Sequence, residues 1–385
     1  MLVFLKRTAL LLSIISISAC SIFDNTPDHL KPMELESFKR SVKLKRIWSS
    51  STGGAQDVRY VRMSLGVEGE RILSASADGR ITAFNRYNGK RLWRIDLDQT
   101  LSAGVGVNAD TVLVGSYSGE VIAINGESGA ELWRTPLSSE ILAAPQSNGK
   151  YVVVQTQDSK LYGLDALTGE VLWKYENAMP KLTLRGTATP VITEHAVYAG
   201  FANGKLMAFH PRNGLLLWER RIATSKGRTD LDKLADIDGT PLLMDSILYV
   251  ASMNGRIAAV GRADGRPLWV QEASSHQPLS KADNLLFLSS SEDEIIAYQA
   301  SSGLELWRNE QLLRRNITGP QVLGGYVAVV DFEGYLHLLR KTDGEFAYRK
   351  KVDGNGVNAA MLSIDGLLYI LGNSGKLMAY RLPAE

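Results

Sequence analysis

Five histidines (His29, His195, His210, His276 and His337) and one cysteine, Cys20, are the side chains of this 385-residue chain best suited to metal ligation or nucleophilic attack. The histidines are scattered without metal-ligand spacing, and a single cysteine excludes an intrachain disulfide. Other fragments approach a catalytic motif and miss it. Gly115 to Gly119 reads GSYSG, which puts Tyr117 where a nucleophile elbow needs serine, and AGVGVN from Ala103 fails the dinucleotide fingerprint. The body has no P-loop. Acids are plentiful, so composition leaves room for an oxygen-rich cation site, yet no spaced ligand motif marks one. The expectation is a chain with no catalytic residue, no metal and no cofactor, whose function lies in its surfaces.

Cys20 has its own explanation. Lys6 and Arg7 precede the apolar run TALLLSIISISA, too short for a permanent membrane span and suited to a signal-peptide core over residues 1–19. Ile17-Ser18-Ala19-Cys20 resembles the lipobox of bacterial lipoproteins, which implies cleavage before Cys20 and its acylation; the alternative is a secretory signal beside a chance cysteine. Ser21 after the cysteine implies sorting to the outer membrane, on its periplasmic face. Two or more acyl chains, at about 0.8 kcal/mol per buried CH₂, make such an anchor stable. Residues 20–43, with Pro27 and Pro32 and no sustained pattern, read as a tether. A flexible coil of that length would hold the body roughly 25 to 30 Å from the membrane. Charge adds an exclusion: 43 Lys and Arg stand against 41 Asp and Glu, and removing Lys6 and Arg7 leaves 41 against 41. That total offers no broad basic field for nucleic acid.

The elements that must position any functional residue are visible as a repeat. GLDALTGEVLWK, residues 163–174, returns as AFNRYNGKRLWR from Ala83, AINGESGAELWR from Ala123, AFHPRNGLLLWE from Ala208, AVGRADGRPLWV from Ala259 and AYQASSGLELWR from Ala297. A period of about 40 residues has to be settled first. Within a unit, Tyr151 to Thr156 is a β-branched run, Asp158-Ser159 a tight turn, Lys160 to Leu164 an alternating run, and Asp165 to Gly169 a second turn before Trp173. These are strands joined by hairpins.

Two counts of the units agree. First-hairpin turns fall at Asp78-Gly79, Ser118-Gly119, Asp158-Ser159, Asn203-Gly204, Asn254-Gly255, Glu292-Asp293, Glu333-Gly334 and Ser374-Gly375. Closing aromatics fall at Trp48, Trp93, Trp133, Trp173, Trp218, Trp269, Trp307 and Tyr348, also eight. Trp48 has no hairpin before it, and Ser374-Gly375 has no aromatic after it, so each end completes the other. Residues 44–385 are therefore expected to form an all-β, eight-bladed β-propeller, closed by pairing of the N-terminal strand with the last blade.

Departures from the repeat mark where residues were added. Trp173 to Trp218 spans 45 residues and Trp218 to Trp269 spans 51, whereas the other intervals after the first run 38 to 41. The surplus lies in KYENAMPKLTLRGTATP and ERRIATSKGRTDLDKLADIDGTP, consecutive connections that should emerge side by side on one face. The first offers Leu182, Leu184 and Arg185; the second offers Asp236 and Asp238 flanking Ile237, on one side if extended. Leucines tucked under a loop and acids capping a turn would explain them without function, but adjacent long loops with apolar and charged residues also suit protein contact.

The pattern A-x-D/N-x-x-[TS]-G-x-x-L-W, over about residues 44 to 385, resembles the repeats of pyrroloquinoline quinone dehydrogenases. With the lipobox, the length, and the stretches LTLRG and DIDGTP, the chain is similar to the BamB family of propeller lipoproteins from the bacterial outer-membrane β-barrel assembly (BAM) machinery. That resemblance implies a non-enzymatic scaffold that binds the periplasmic POTRA domains of BamA through Leu182, Leu184, Arg185, Asp236 and Asp238. Through BamA it implies association with the other BAM lipoproteins, and it extends to unfolded outer-membrane proteins as clients. A quinone-dependent dehydrogenase and a glycan-binding propeller are the competing classes. The dehydrogenases commonly add adjacent cysteines and a much longer chain, and the lone Cys20 cannot supply the former.

Overall fold

The computed structural model describes residues 27, 30–54, 63–180, 182–183, 187–224, 229 and 234–383; Cys20 and the signal segment lie outside them. Tyr151–Gln155 turns back through Ser159, at φ +63°, into Lys160–Asp165, which turns back through Gly169 into Val171–Glu176. Gln146–Ser147 completes a four-stranded antiparallel sheet. Among the described residues this unit occurs eight times, as sheets that we number by position: blade 1 from Gly66 to Asp96, blade 2 from Gly106 to Pro136, blade 3 from Gln146 to Glu176, blade 4 from Val191 to Arg221, blade 5 from Leu242 to Ala273, blade 6 from Ser280 to Asn309, blade 7 from Gln321 to Lys351, and blade 8 from Leu362 to Arg381.

Blade 8 takes its fourth strand from the other end of the chain. Lys45–Ser51 pairs antiparallel with Lys376–Arg381, from Lys45 opposite Arg381 to Ser51 opposite Lys376. The expected closure is thus observed, and packing seals it. Trp48, Ile72, Phe84, Tyr369 and Leu377 form one buried cluster across blades 8 and 1, and Trp48 Nε1 donates to Arg86 O at 2.9 Å.

The second and third strands of each blade are covered on both faces, so their apolar residues do not simply alternate with polar ones. In blade 3, Val152 and Val154 pack toward blade 2 while Val153 packs toward blade 4. First strands lie nearest the axis, where Asn108 Nδ2 donates to Ser147 O across blades 2 and 3 at 3.1 Å. Fourth strands form the rim.

The recurring Gly and Trp meet each other between blades. Gly169 has φ +74°, and a Cβ on it would also lie 2.5 Å from Cε3 of Trp133 in the preceding blade, so the position excludes a side chain twice over. Each indole donates to a backbone carbonyl of the next blade, as Trp133 Nε1 does to Ala166 O at 3.0 Å. Tyr348 replaces tryptophan for a physical reason. The third and fourth strands of blade 8 come from opposite chain ends, so no glycine turn joins them to receive an indole.

A bulge accompanies each closing aromatic. Ala83 pairs with Trp93 and Phe84 with Arg91, leaving Leu92 as the extra residue, and the register shifts at the equivalent place in every blade. The leucine before tryptophan is therefore exposed on a twisted edge, which discourages edge-to-edge pairing.

The stretch expected as a free tether differs from that expectation in its described part. Residues 30–44 form no regular strand but lie against blades 7 and 8 as a strap. Phe38 stacks on Phe346 with ring centroids 5.4 Å apart, and Ser41 N donates to Ala347 O at 3.0 Å. Arg315 Nη1 donates to Met33 O at 2.9 Å and Arg349 Nη1 to Glu36 O at 2.6 Å. Leu35, Val42 and Leu44 pack onto the blade cores. Aromatic stacking and arginine-to-carbonyl bonds need no sequence period, so composition alone concealed this docking.

Candidate functional site

The two enlarged connections leave the ring between blades 3 and 4 and between blades 4 and 5. Their described parts converge on a small open cleft, walled by Gln155 and Gln157 from blade 3, Thr183 and Thr187 from the first connection, and Ile237 and Asp238 from the second. The expectation that the two connections emerge together is met at these residues.

The second connection is held by an ordinary interblade plug. Ile237 N donates to Phe201 O at 3.3 Å, as Ile141 N does to Ser116 O at 3.2 Å two blades earlier. A Cβ on Gly200 would collide with the Ile237 side chain, as one on Gly115 would with Ile141. Met253 N donates to Asp236 O at 2.8 Å, the counterpart of Gln157 N to Glu140 O at 2.9 Å. The residues Asp236-Ile237-Asp238 thus occupy the places of Glu140-Ile141-Leu142, and the added length lies upstream.

This register corrects one expectation. Asp236 and Asp238 do not form an exposed pair: Asp236 is 1% exposed, under the connection, while Asp238 is half-buried and faces the cleft. An extended alternation predicts one side for both, but the plug's backbone is bonded to two blades at once, and Asp236 is enclosed while Asp238 keeps partial exposure. Leu182 is 44% exposed and Met179, in the same connection, 48% exposed, so apolar surface does border the cleft. Leu184 and Arg185 lie outside the described residues.

Sequence reasoning missed the cleft's polar wall. Gln155 is 3% exposed; its Nε2 donates to Gly200 O at 2.9 Å, and its Oε1 has no hydrogen-bond partner among the described residues. Gln157 Oε1 and Thr187 Oγ1 are likewise buried and unmatched. Buried polar atoms are almost always satisfied, so three at one cleft call for an explanation. With half-buried Asp238 they make this wall of the cleft polar. A signal existed: Gln155 ends the second strand of its blade, where the other seven blades have Ala75, Gly115, Gly200, Ala251, Ser289, Val330 and Leu371. Among the described residues, no group of three or more His, Cys, Asp or Glu is placed to hold a metal ion.

Comparison with known proteins agrees with this architecture. A family model described as "Outer membrane protein assembly factor BamB" matches residues 77–309 and 292–382. The protein of that name from Pseudomonas aeruginosa is 47% identical over 377 residues, covering 98% of this chain and 99% of the relative. Its namesake from Escherichia coli is 31% identical, covering 95% and 96%. The crystal structure of BamB from Moraxella catarrhalis superposes with a TM-score of 0.81 at 28% identity, over 88% of this chain and all (100%) of that one. A quinohemoprotein alcohol dehydrogenase from Comamonas testosteroni superposes with a TM-score of 0.70 at 14% identity, covering 89% and 78%, which shows a shared fold alone. Matched by the family model over most of its length and by relatives across nearly the whole of both chains, the protein belongs to the outer membrane protein assembly factor BamB family.

Proposed function

We propose that the chain is a non-enzymatic scaffold of the outer-membrane β-barrel assembly machinery that docks on the POTRA domains of BamA through the cleft beside blade 4. Residues 1–19 are its signal peptide, and acylated Cys20 anchors it to the periplasmic face of the outer membrane. Leu182, with Leu184, buries apolar area against the partner. Asp238 and Arg185 fix register, because exposed ion pairs orient a complex more than they tighten it. Asp236 supports the plug from beneath. Holding BamA in this way assists the folding and insertion of outer-membrane β-barrel proteins, and places the other BAM lipoproteins in reach through BamA.

The observation that carries this reading is the exposed apolar surface of Leu182 and Met179 beside a cleft that Asp238 faces. The test is co-purification of BamA with Asp238→Arg and Leu182→Asp variants from detergent-solubilised outer membrane. Loss of BamA with an unchanged denaturation midpoint supports the reading; undiminished recovery with both variants rejects it.

A further inference from the structure

We propose that the rim of blades 7 and 8, with the strap laid over it, is a contact surface for an anionic phospholipid membrane. The proposal rests on the reading of Cys20 as a lipid anchor.

Charge on this arc is arranged unlike charge elsewhere on the rim. From Phe38 to Arg46 the strap and its continuation carry Lys39, Arg40, Lys43, Lys45 and Arg46 and no carboxylate, the strap's two acids, Glu34 and Glu36, lying before Phe38. The adjoining edge strand Phe346–Lys351 carries Arg349, Lys350 and Lys351, again with no carboxylate. The two stretches are neighbours in space, since Ser41 N donates to Ala347 O and Arg40 sits 5.2 Å from the Tyr348 ring. Apart from Arg349, whose head group is committed to the strap, these cations are exposed.

On other rims, edge-strand cations stand among acids and several pair with them. Arg80 meets Asp96 at 2.7 Å, Arg134 meets Glu131 at 2.9 Å, Lys174 meets Glu176 at 2.7 Å, Lys205 meets Glu219 at 2.7 Å and Arg308 meets Glu305 at 2.7 Å. On the strap arc, no carboxylate among the described residues lies within ion-pair distance of Lys39, Lys43, Lys45, Lys350 or Lys351. Protection of a sheet edge would need cations but not the omission of acids, as the paired rims demonstrate. The chain carries 43 Lys and Arg against 41 Asp and Glu, so the local excess is a matter of placement.

Continuity with the anchor selects the occupant. Ten residues separate Cys20 from Leu30, where the described strap begins. At about 3.3 to 3.6 Å per residue that leash reaches at most about 35 Å, so docking of the strap keeps this rim close to the bilayer. Clusters of roughly four to eight Lys and Arg beside a membrane attachment are attracted to anionic headgroups, and supply the second signal that a lipid anchor benefits from. In a ring of eight, blades 7 and 8 stand half a turn from blades 3 and 4. Seating the basic rim on the membrane therefore turns the cleft away from it, toward a partner in the aqueous space.

The experiment uses the full lipidated chain on vesicles of phosphatidylcholine alone or with a third phosphatidylglycerol. A fluorophore is attached at Ser49→Cys on the rim or Thr183→Cys at the cleft, and quenched by a headgroup spin label. The expected result is rim quenching that rises about tenfold in apparent membrane contact on anionic vesicles and disappears in high salt. A folded variant with Lys43, Lys45, Lys350 and Lys351 all changed to Glu should lose it, and the cleft label should stay unquenched. Rim quenching that ignores lipid charge, salt and the four substitutions overturns the proposal, as does a quenched cleft label. Failure of the anchor reading would look different: the chain would not float with phosphatidylcholine vesicles at all.

Discussion

Two arcs of the ring, half a turn apart, treat buried polar groups in opposite ways. Beneath the strap, Arg315 Nε donates to Asp331 Oδ2 at 2.9 Å, His337 Nε2 donates to the same oxygen at 3.1 Å, and Arg349 Nε donates to His337 Nδ1 at 3.1 Å. Arg315 Nη1 and Arg349 Nη1 reach Met33 O and Glu36 O of the strap, and Arg315 Nη2 donates to the Glu333 carboxylate. At the cleft, Gln155, Gln157 and Thr187 keep buried oxygens unmatched among the described residues. The first arc is finished by its own chain; the second, where the proposed docking lies, keeps polar groups unmatched among the described residues. Substitution should accordingly cost stability on one arc and binding on the other.

The largest effect is expected at Asp331, which is fully buried. Asp331→Ala takes the buried carboxylate from Arg315 and His337, leaves Arg315 only the part-exposed Glu333, and should destabilise the ring by about 3 kcal/mol in urea denaturation. A cost below about 1 kcal/mol would erase the contrast. At the cleft, Asp238→Arg should weaken the docked complex by about 2 kcal/mol, roughly thirtyfold in Kd by titration, with an unchanged urea midpoint. Equal losses of stability and binding would show that the cleft is merely structural.

Acidity sharpens the same contrast. Burial pushes the His337 imidazole below its ordinary value of 6.5, so the unfolded chain takes up a proton that the folded chain resists. That contribution to stability is intact above about 6.5 and is lost as pH falls below it. Asp331 acts in the same direction at lower pH. Burial alone would raise its carboxyl, but hydrogen bonds from His337 and Tyr335 and the Arg315 charge hold it below 3.8, so its contribution disappears on further acidification. Denaturation midpoints at about pH 7 and pH 5 should differ less in His337→Gln than in the native chain. Smaller still, Phe38→Ala removes the stack on Phe346 and should cost about 1 kcal/mol, read as faster proteolysis within residues 31–44.

How far the sequence reaches follows from what each feature depends on. Blade number and ring closure were legible because Gly and Trp recur at fixed offsets, and because Trp48 and Ser374-Gly375 complement each other. Local turn chemistry and interblade packing both act on those residues, so the repeat reports both. The bulge that exposes Leu92 and its equivalents was not legible, since one extra residue leaves the apolar pattern unchanged. Nor was the strap, whose docking depends on Arg315, Arg349 and Phe346, about 300 residues away in sequence. Added length pointed to the place where the two connections meet. Asp236 misled because its neighbour Ile237 is an interblade plug, and Gln155 was overlooked because only alignment of all eight blades makes it unusual.

The most direct test of docking through the cleft is photo-crosslinking in intact cells, with a reactive residue at 182, 238 or, as a control on the opposite arc, at 351. The account predicts that 182 and 238 both capture BamA through a POTRA domain while 351 does not. Capture of BamA from 351, with none from 182 or 238, would contradict it.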